Sequence, residues 1–535
     1  MTSPAGFFAK TVDRIRRWNP PPDLARPLFR PAPAELVLWL LFAAVTLTAV
    51  WFHEPWRDEA QGFLIVRDNT LPGLVLHMRD ESQFLLWFLF TWPFVRLLGV
   101  PIFGVNLLHW GVSCATAFLV LRRAPFRLLT RAAIIFSVVF AFEYTAVARH
   151  YALALFLLAV LLANWRNRFR APVLFAGGIA LCASTNLLAW VCLGGLCTAV
   201  GYEIVARKLF SPRIAAAVLV AAFGFLLALA EIYNGRGGFG SPYVSRRGGA
   251  LEGHVAERIR FAVESISHLT YLPAVLCLVC LMAAVFYFAW KSAPAFVCFL
   301  TCLALTAGLQ IAGGFHSMRH LGFLLAGVVA SCWIASSGDT KGFVWLSRLP
   351  GRIQSAIPMA AGCAAALLLA MQTAVLPFFV WCEVNYPFSH GRATARFIRD
   401  NIPPEVPMYC FTARSNTSVL PWLPGRRFFI FDRMEYGTFS KWGRVDAPSM
   451  QFMADYAAEH LLPEQRYALF VVAMNEEPNV FPSNMILLYD SRKNSPPVWG
   501  PYTEEFLVFA VVRPEFAESF RREPPRSETG AGGAD

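Results

Sequence analysis

Two acidic pairs, Asp58-Glu59 and Asp80-Glu81, stand in the stretch His53–Phe84 of a 535-residue chain in which only 15% of residues are charged. The stretch follows the first long apolar run, so both pairs fall just outside that run. Carboxylates so placed suit three roles. They serve as a general base toward a hydroxyl nucleophile, as oxygen ligands for a divalent cation, or as acids favoured at a helix start, worth roughly 0.3–1 kcal/mol. Pro55 suits a first helical position, which predicts Asp58 and Glu59 in the first turn of a helix through Arg67. Asp80 and Glu81 close the same segment, either as a second pair of helix-start charges or as carboxylates facing the first pair.

Two further turns gather ionisable groups between apolar runs. Glu143-Tyr144-Thr145-Ala146-Val147-Ala148-Arg149-His150-Tyr151 holds an acid, an arginine and a histidine where such groups are costly and tend to be functional or paired. Either Glu143 and Arg149 form an ion pair, or Arg149 and His150 bind a phosphate, for which arginine offers a two-pronged fork. Glu143, Tyr144 and Tyr151 then line the site. Gly313-Gly314-Phe315-His316-Ser317-Met318-Arg319-His320 places two histidines around an arginine, which suits an oxyanion better than a metal; the alternative is Arg319 reaching for the interface. Residues 233–268 add Arg236, Arg246, Arg247, Arg258 and Arg260 among glycines, a flexible clamp for an anionic headgroup or simply a long loop.

The elements that position these groups follow from composition. At 56% hydrophobic, with 47 Phe and 16 Trp, the chain reads as a polytopic α-helical membrane protein. The formal charge of +12 comes from basic residues beside apolar segments, the pattern of membrane orientation. No zinc spacing or RNA-binding motif accompanies it, so no nucleic-acid partner is expected. Ten of the twelve cysteines lie in apolar runs and behave as small hydrophobes. Cys277-x-x-Cys280 lacks a second ligand pair, and a Cys382–Cys410 disulfide is allowed but unforced.

Residues 1–33 are basic and proline-rich and are expected to be cytoplasmic, with no cleavable signal, so that 35–52 is an uncleaved anchor. Reading 84–99 as a span would put Arg122, Arg123, Arg127 and Arg131 outside, against the positive-inside tendency. It is therefore expected to be an interfacial helix interrupted by Pro93. The spans then become 35–52, 102–121, 132–142, 151–165, 172–184, 187–205, 214–232, 269–290, 294–312, 320–336 and 355–381, about eleven in all. The multispan domain covers 34–381 and includes an external loop, 53–101. Past Trp381, strand-type runs at 407–412, 427–431, 467–473, 485–489 and 506–512 alternate with helical patterns at 390–401 and 450–461. They predict a C-terminal extracytoplasmic α/β domain, 382–520, followed by a disordered tail, 521–535.

With these residues placed, the chain resembles the GT-C superfamily of integral membrane glycosyltransferases, including the protein O-mannosyltransferases and the aminoarabinose transferases. Asp58-Glu59-Ala60 matches the Asp-Glu-Ala-type motif that follows the family's first span. Glu81-Ser82-Gln83-Phe84 stands where the family has a Glu-Gly-His-Pro-like stretch and keeps only the Glu. Ala148-Arg149-His150-Tyr151-Ala152 is similar to the Ala-Arg-x-Tyr-Ala pattern. The run from His390 to Asn401, with Ile402-Pro403-Pro404 and a strand after it, is similar to the family's external domain.

The resemblance implies transfer of a sugar, with inversion, from a polyprenyl-phosphate donor to an acceptor hydroxyl on an envelope lipid, glycan or protein. The enzyme would be an integral plasma-membrane protein with its site on the extracytoplasmic face. Asp58, Glu59 and Glu81 are the candidate catalytic residues, Asp58 being the base. Arg149, His150, His316, Arg319 and His320 are candidates for the donor phosphate. Asp80, Glu143, Tyr144 and Tyr151 would line the acceptor side. The partners implied are the lipid-linked sugar, the bilayer and an acceptor whose identity the sequence does not give. No metal is assigned, with a divalent cation left open. Two other readings stand beside this one: a transporter or flippase for a lipid-linked or anionic substrate, and a catalytically inactive relative.

Overall fold

The computed structural model describes residues 21–24, 27–78, 83–233, 270–313, 317–337, 342–343, 346, 348, 350–412, 416–440, 448–473, 481–500 and 504–522. In chain order the helices are α1 (Pro33–Phe52), α2 (Arg57–Asp68), α3 (Leu71–His77), α4 (Leu85–Trp92, running into a π turn at Pro93–Leu97), α5 (Ile102–Arg123) and α6 (Leu128–Ile135). A second π turn, Val139–Glu143, precedes α7 (Tyr151–Ala163), α8 (Pro172–Ala183), α9 (Ala189–Ala206) and α10 (Pro212–Tyr233). Then come α11 (Ala274–Lys291), α12 (Ala293–Gly313), α13 (Met318–Ser336) and α14 (Gly351–Asn385).

Among the described residues eight helices are long and apolar enough to cross a membrane: α1, α5 and α9 to α14. A helix rises about 1.5 Å per residue and needs about 20 residues to cross a hydrocarbon core. The 20 residues of α1 meet that length. Of the eleven spans expected, the remaining three are α7 and α8, of 13 and 12 residues, and the region 132–142, broken between α6 and its π turn. Their apolar runs are interrupted by turns, and their length falls short of a straight crossing. The stretch 84–99 forms a short apolar helix, Leu85–Leu97, that changes to π geometry at Pro93.

The chain divides into two compact units. The first holds Met1–Val50, Ser82–Trp87 and Leu107–Val380; the second holds Trp51–Glu81, Phe88–Asn106 and Trp381–Asp535. In the first unit α13 is the most enclosed span. Small residues let its neighbours approach, as is usual for membrane helices. A Cβ on Gly195 of α9 would meet the Cys302 sulfur of α12 at 2.6 Å, and one on Gly327 of α13 would meet the same sulfur at 2.8 Å. Thr198 and Thr301 add a hydroxyl hydrogen bond of 3.0 Å across the α9–α12 contact.

Several arginines read from the sequence as loop charges are buried ion-pair partners instead. Glu35 accepts from Arg122 at 2.6 Å and Arg131 at 2.8 Å. Glu203 pairs with buried Arg168 at 2.6 Å and with exposed Arg207 at 2.9 Å. A buried guanidinium persists only when paired and hydrogen-bonded, so these residues clamp helix ends as well as carrying charge. All twelve cysteines are free thiols, Cys382 and Cys410 included.

The second unit is built on a six-stranded sheet. Its strands are β1 (Met408–Cys410), β2 (Phe428–Ile430), β3 (Glu435–Gly437), β4 (Ala468–Ala473), β5 (Met485–Asp490) and β6 (Phe506–Val511), in the order β3-β2-β1-β4-β6-β5. β2, β1 and β4 run parallel, while β3, β6 and β5 pair antiparallel to their neighbours. The sequence Ala-Leu-Phe-Val-Val-Ala of β4 is buried at every position, as expected of a central strand covered on both faces. Helix α15 (Gly391–Asn401) precedes β1, and α16 (Met450–Glu459) precedes β4. The Ser449 hydroxyl caps α16 by accepting from the Phe452 amide at 3.1 Å. The five expected strands and two expected helices are present, and the short hairpin strand β3 is additional.

Candidate active site

The start of α2 sets one candidate cluster, in the second unit. Trp56, in extended conformation, is the N-cap, so the helix begins at Arg57 and Pro55 lies just outside it. Asp58 and Glu59 then occupy the second and third helical positions. Adjacent helical residues point about 100° apart, and here the two acids take opposite fates. The Glu59 side chain is 1% exposed and that of Asp58 is 24% exposed.

Glu59 turns inward. One of its oxygens accepts from the Trp56 amide at 3.2 Å and lies 2.8 Å from His53 Nε2. His53 Nδ1 lies 2.8 Å from Glu383 Oε1. Burial alone would lower the pKa of His53, but Glu59 and Glu383 reverse that and raise it to about 10. The ring is therefore an imidazolium that donates to a carboxylate on each side.

Three more contacts fix the helix. The Arg57 amide donates to both Glu504 oxygens at 3.0 and 3.2 Å, and Glu504 also accepts from the Ser389 hydroxyl at 2.9 Å. Burial pushes Glu504 up to about 7 despite these donors. Gln61 donates to the Ser440 carbonyl at 2.7 Å and accepts from its amide at 2.9 Å. Thr417 donates to the Arg57 carbonyl at 3.1 Å. Glu54 is raised to about 7 by burial, opposed by Arg392 and His53. Asp58 is the partly exposed carboxylate on this rigid frame, 3.6 Å from Arg57 Nε. Asp80 and Glu81 lie outside the described residues.

The first unit gathers a second cluster where the chain turns between the π turn at Val139–Glu143 and α7. Tyr144 donates to the Arg319 carbonyl at 2.6 Å and packs against Tyr151, ring centroids 5.4 Å apart. Burial, with Tyr151 and Glu143 nearby, holds the Tyr144 hydroxyl well above its ordinary pKa, so it is a donor and not an anion. Arg149 lies 5.4 Å over the Tyr151 ring and points a guanidinium nitrogen at its hydroxyl, 3.4 Å away. His150 packs on Tyr151 at 4.4 Å. His320 faces the Ser317 hydroxyl at 2.9 Å. Helix α5 secures the turn: Ser113 donates to the Tyr144 carbonyl at 3.1 Å, and His109 lies 3.2 Å from the Thr145 carbonyl. Glu143, Tyr144, Arg149, His150, Tyr151 and Arg319 are thus brought together. His316 and the loop 234–269 lie outside the described residues.

Gly322 makes the Tyr144 contact feasible, since a Cβ there would fall 2.3 Å from the Tyr144 oxygen. Gly322→Ala is expected to break the bond to the Arg319 carbonyl and to destabilise the first unit by about 1–3 kcal/mol, as overpacking does. Thermal unfolding of the variant and wild type in the same detergent checks this.

An apolar cavity of about 400 Å³ opens between α6, α11, α13 and α14, with Leu281, Val328 and Leu368 among its walls. Thr270 and Leu272 line it as well. Between them, Tyr271 places its hydroxyl 3.9 Å from the Met318 sulfur and within electrostatic reach of Glu143. The apolar space thus adjoins the arginine-tyrosine cluster within one unit.

Sequence reasoning missed Glu383, Glu504 and Gln61. Glu383 had a signal, as an acid closing a long apolar run; the other two lie in ordinary polar surroundings. Among the described residues no group of three or more His, Cys, Asp or Glu is arranged to hold a metal ion.

No family model matches the chain, and no curated protein matches it. Among solved structures it is similar to ArnT from Cupriavidus metallidurans in the apo state, at 13% identity and a TM-score of 0.44, covering 88% of this chain and 97% of that one. It is similar also to ArnT from the same organism bound to undecaprenyl phosphate, at 13% identity and a TM-score of 0.44, covering 90% and 98%.

Proposed function

We propose that this chain is an integral membrane glycosyltransferase that moves a sugar from a polyprenyl-phosphate donor to an acceptor hydroxyl on an envelope lipid, glycan or protein. The observation that carries the reading lies in the first unit: the cavity walls Thr270 and Leu272 flank Tyr271, whose hydroxyl meets Met318, next to the Arg319 carbonyl that holds Tyr144 in the cluster with Tyr151 and Arg149. A lipid chain needs the cavity and its phosphate the cluster.

Asp58 accepts the acceptor's proton as the hydroxyl oxygen attacks the anomeric carbon from the face opposite the phosphate. The carbon–oxygen bond to phosphate breaks, its electron pair leaves on the phosphate, and the anomeric configuration inverts. Arg149 is the cation assigned to the charge that develops on the phosphate, which a preorganised cation stabilises most effectively. Tyr144 orients the turn through its bond to the Arg319 carbonyl. Glu59 acts through its bond to the Trp56 amide, which fixes the helix bearing Asp58. The site works on the extracytoplasmic face of the plasma membrane, consistent with short basic loops on the opposite side.

Transfer from a radiolabelled polyprenyl-phosphate sugar, measured in proteoliposomes with envelope extract as acceptor, tests the reading. Arg149→Gln is expected to weaken donor use by about 10- to 100-fold, as loss of a charge-assisted hydrogen bond does. Substrate-driven flux of the donor with no transferred sugar would overturn the proposal in favour of transport.

A further inference from the structure

We propose that the second unit carries a seat for the phosphate headgroup of an anionic membrane lipid, separate from the sugar-transfer residues. The seat is a cavity of about 550 Å³ between the C-terminal end of α2, the π turn after α4 and the β2–β3 hairpin. That size lies within the range of about 300–1,000 Å³ typical of small-molecule sites. Four guanidinium groups, Arg67, Arg96, Arg426 and Arg427, line it against two carboxylates, Asp68 and Glu435.

Two of the four arginines are engaged structurally. Arg67 donates twice to Asp68, at 2.8 and 3.0 Å. Arg426 donates to the Pro403 and Val406 carbonyls at 3.0 and 2.9 Å. Arg96 and Arg427 are exposed, and among the described residues Arg96 makes a long 3.4 Å contact to the Arg67 carbonyl. They face the cavity with positive charge to offer, and a guanidinium fork matches phosphate geometry.

The surroundings select a lipid as the source of that phosphate. Leu97 and Leu98, directly after Arg96, are 67% and 71% exposed. Helix α3 follows α2 closely and exposes Val75 and Leu76, and its His77 packs at 4.8 Å on Phe439 of the cavity wall. Apolar side chains beside a cationic cavity suit the acyl–headgroup boundary of a bilayer. A soluble anion would need the arginines and gain nothing from the leucines.

The test uses the full chain in a maltoside detergent, with lipid binding read by native mass spectrometry. Dioleoylphosphatidylglycerol is the probe, dioleoylphosphatidylcholine the neutral control, and inorganic phosphate the soluble competitor. Each cationic side chain near a membrane surface contributes about fivefold in affinity. Arg96→Gln with Arg427→Gln is therefore expected to cut the preference for the anionic lipid by about thirtyfold. The exposed hairpin change Arg427→Gln alone should cut it about fivefold without touching the fold. Arg399→Gln, an exposed arginine paired with Asp400, should leave it unchanged. Three results would overturn the proposal: an undiminished preference in both arginine variants, equal binding of the neutral lipid by wild type, or displacement of the lipid by inorganic phosphate.

Discussion

Asp58→Asn is expected to lower sugar transfer by roughly 10²–10⁴-fold in protein that elutes and unfolds like wild type. The amide has the same shape as the carboxylate and keeps a helix-start acceptor, but it takes no proton from the attacking hydroxyl. The side chain is 24% exposed, and the bonds that anchor α2 run through Arg57, Glu59 and Gln61. Stability therefore changes little while chemistry is lost. Glycosyl transfer measured under single-turnover conditions separates this outcome from weakened substrate binding. Wild-type turnover in the variant would remove Asp58 from the mechanism and leave the clamp around Glu59 as pure architecture.

The second large effect belongs to that clamp. His53→Ala removes a buried cation from between Glu59 and Glu383 and leaves two carboxylates without their shared partner. Breaking a buried pair in this way is expected to destabilise the second unit by about 3–5 kcal/mol, read as a fall in the unfolding midpoint. The pH dependence has a defined sign. The folded pKa of His53, about 10, lies above its ordinary value of 6.5, so its contribution is complete below 6.5 and is lost as pH rises through 10. Glu54 and Glu504, each raised from 4.5 to about 7, act in the same direction at lower pH. Their contributions are full below 4.5 and are lost as pH rises through 7. Wild type should therefore weaken in two steps as pH rises, and His53→Ala should lack the alkaline one.

The helix at Asp58 was legible because its signals are local: a proline, two acids and an apolar face within a dozen residues. The strands were legible for the same reason, as short β-branched or aromatic runs set between turns. The short strand β3 was not, since Glu435-Tyr436-Gly437 has little strand propensity and pairs only through its hairpin with β2. The division of labour between Asp58 and Glu59 depends on which side of α2 meets the segments bearing Thr417, Ser440 and Glu504, and no pattern within the stretch records that. His53 finds Glu383 330 positions along the chain, and Arg57 finds Glu504 447 positions along. Partners at that separation are chosen by the tertiary fold. The three short apolar helices show the converse: hydropathy marked their positions, while the turns that end them come from packing.

The bond between Arg57 and Glu504 has a consequence for biosynthesis. Ribosomes deliver α2 long before the segment that holds it, and at about 5–20 residues per second the interval over 447 positions is roughly 20–90 s. Throughout that time a nascent chain carries Asp58 on a helix without its last anchor, Glu504. The last bond to the helix that carries Asp58 forms only when synthesis is nearly complete, so a chain truncated before Glu504 would keep its membrane helices and lack that anchor.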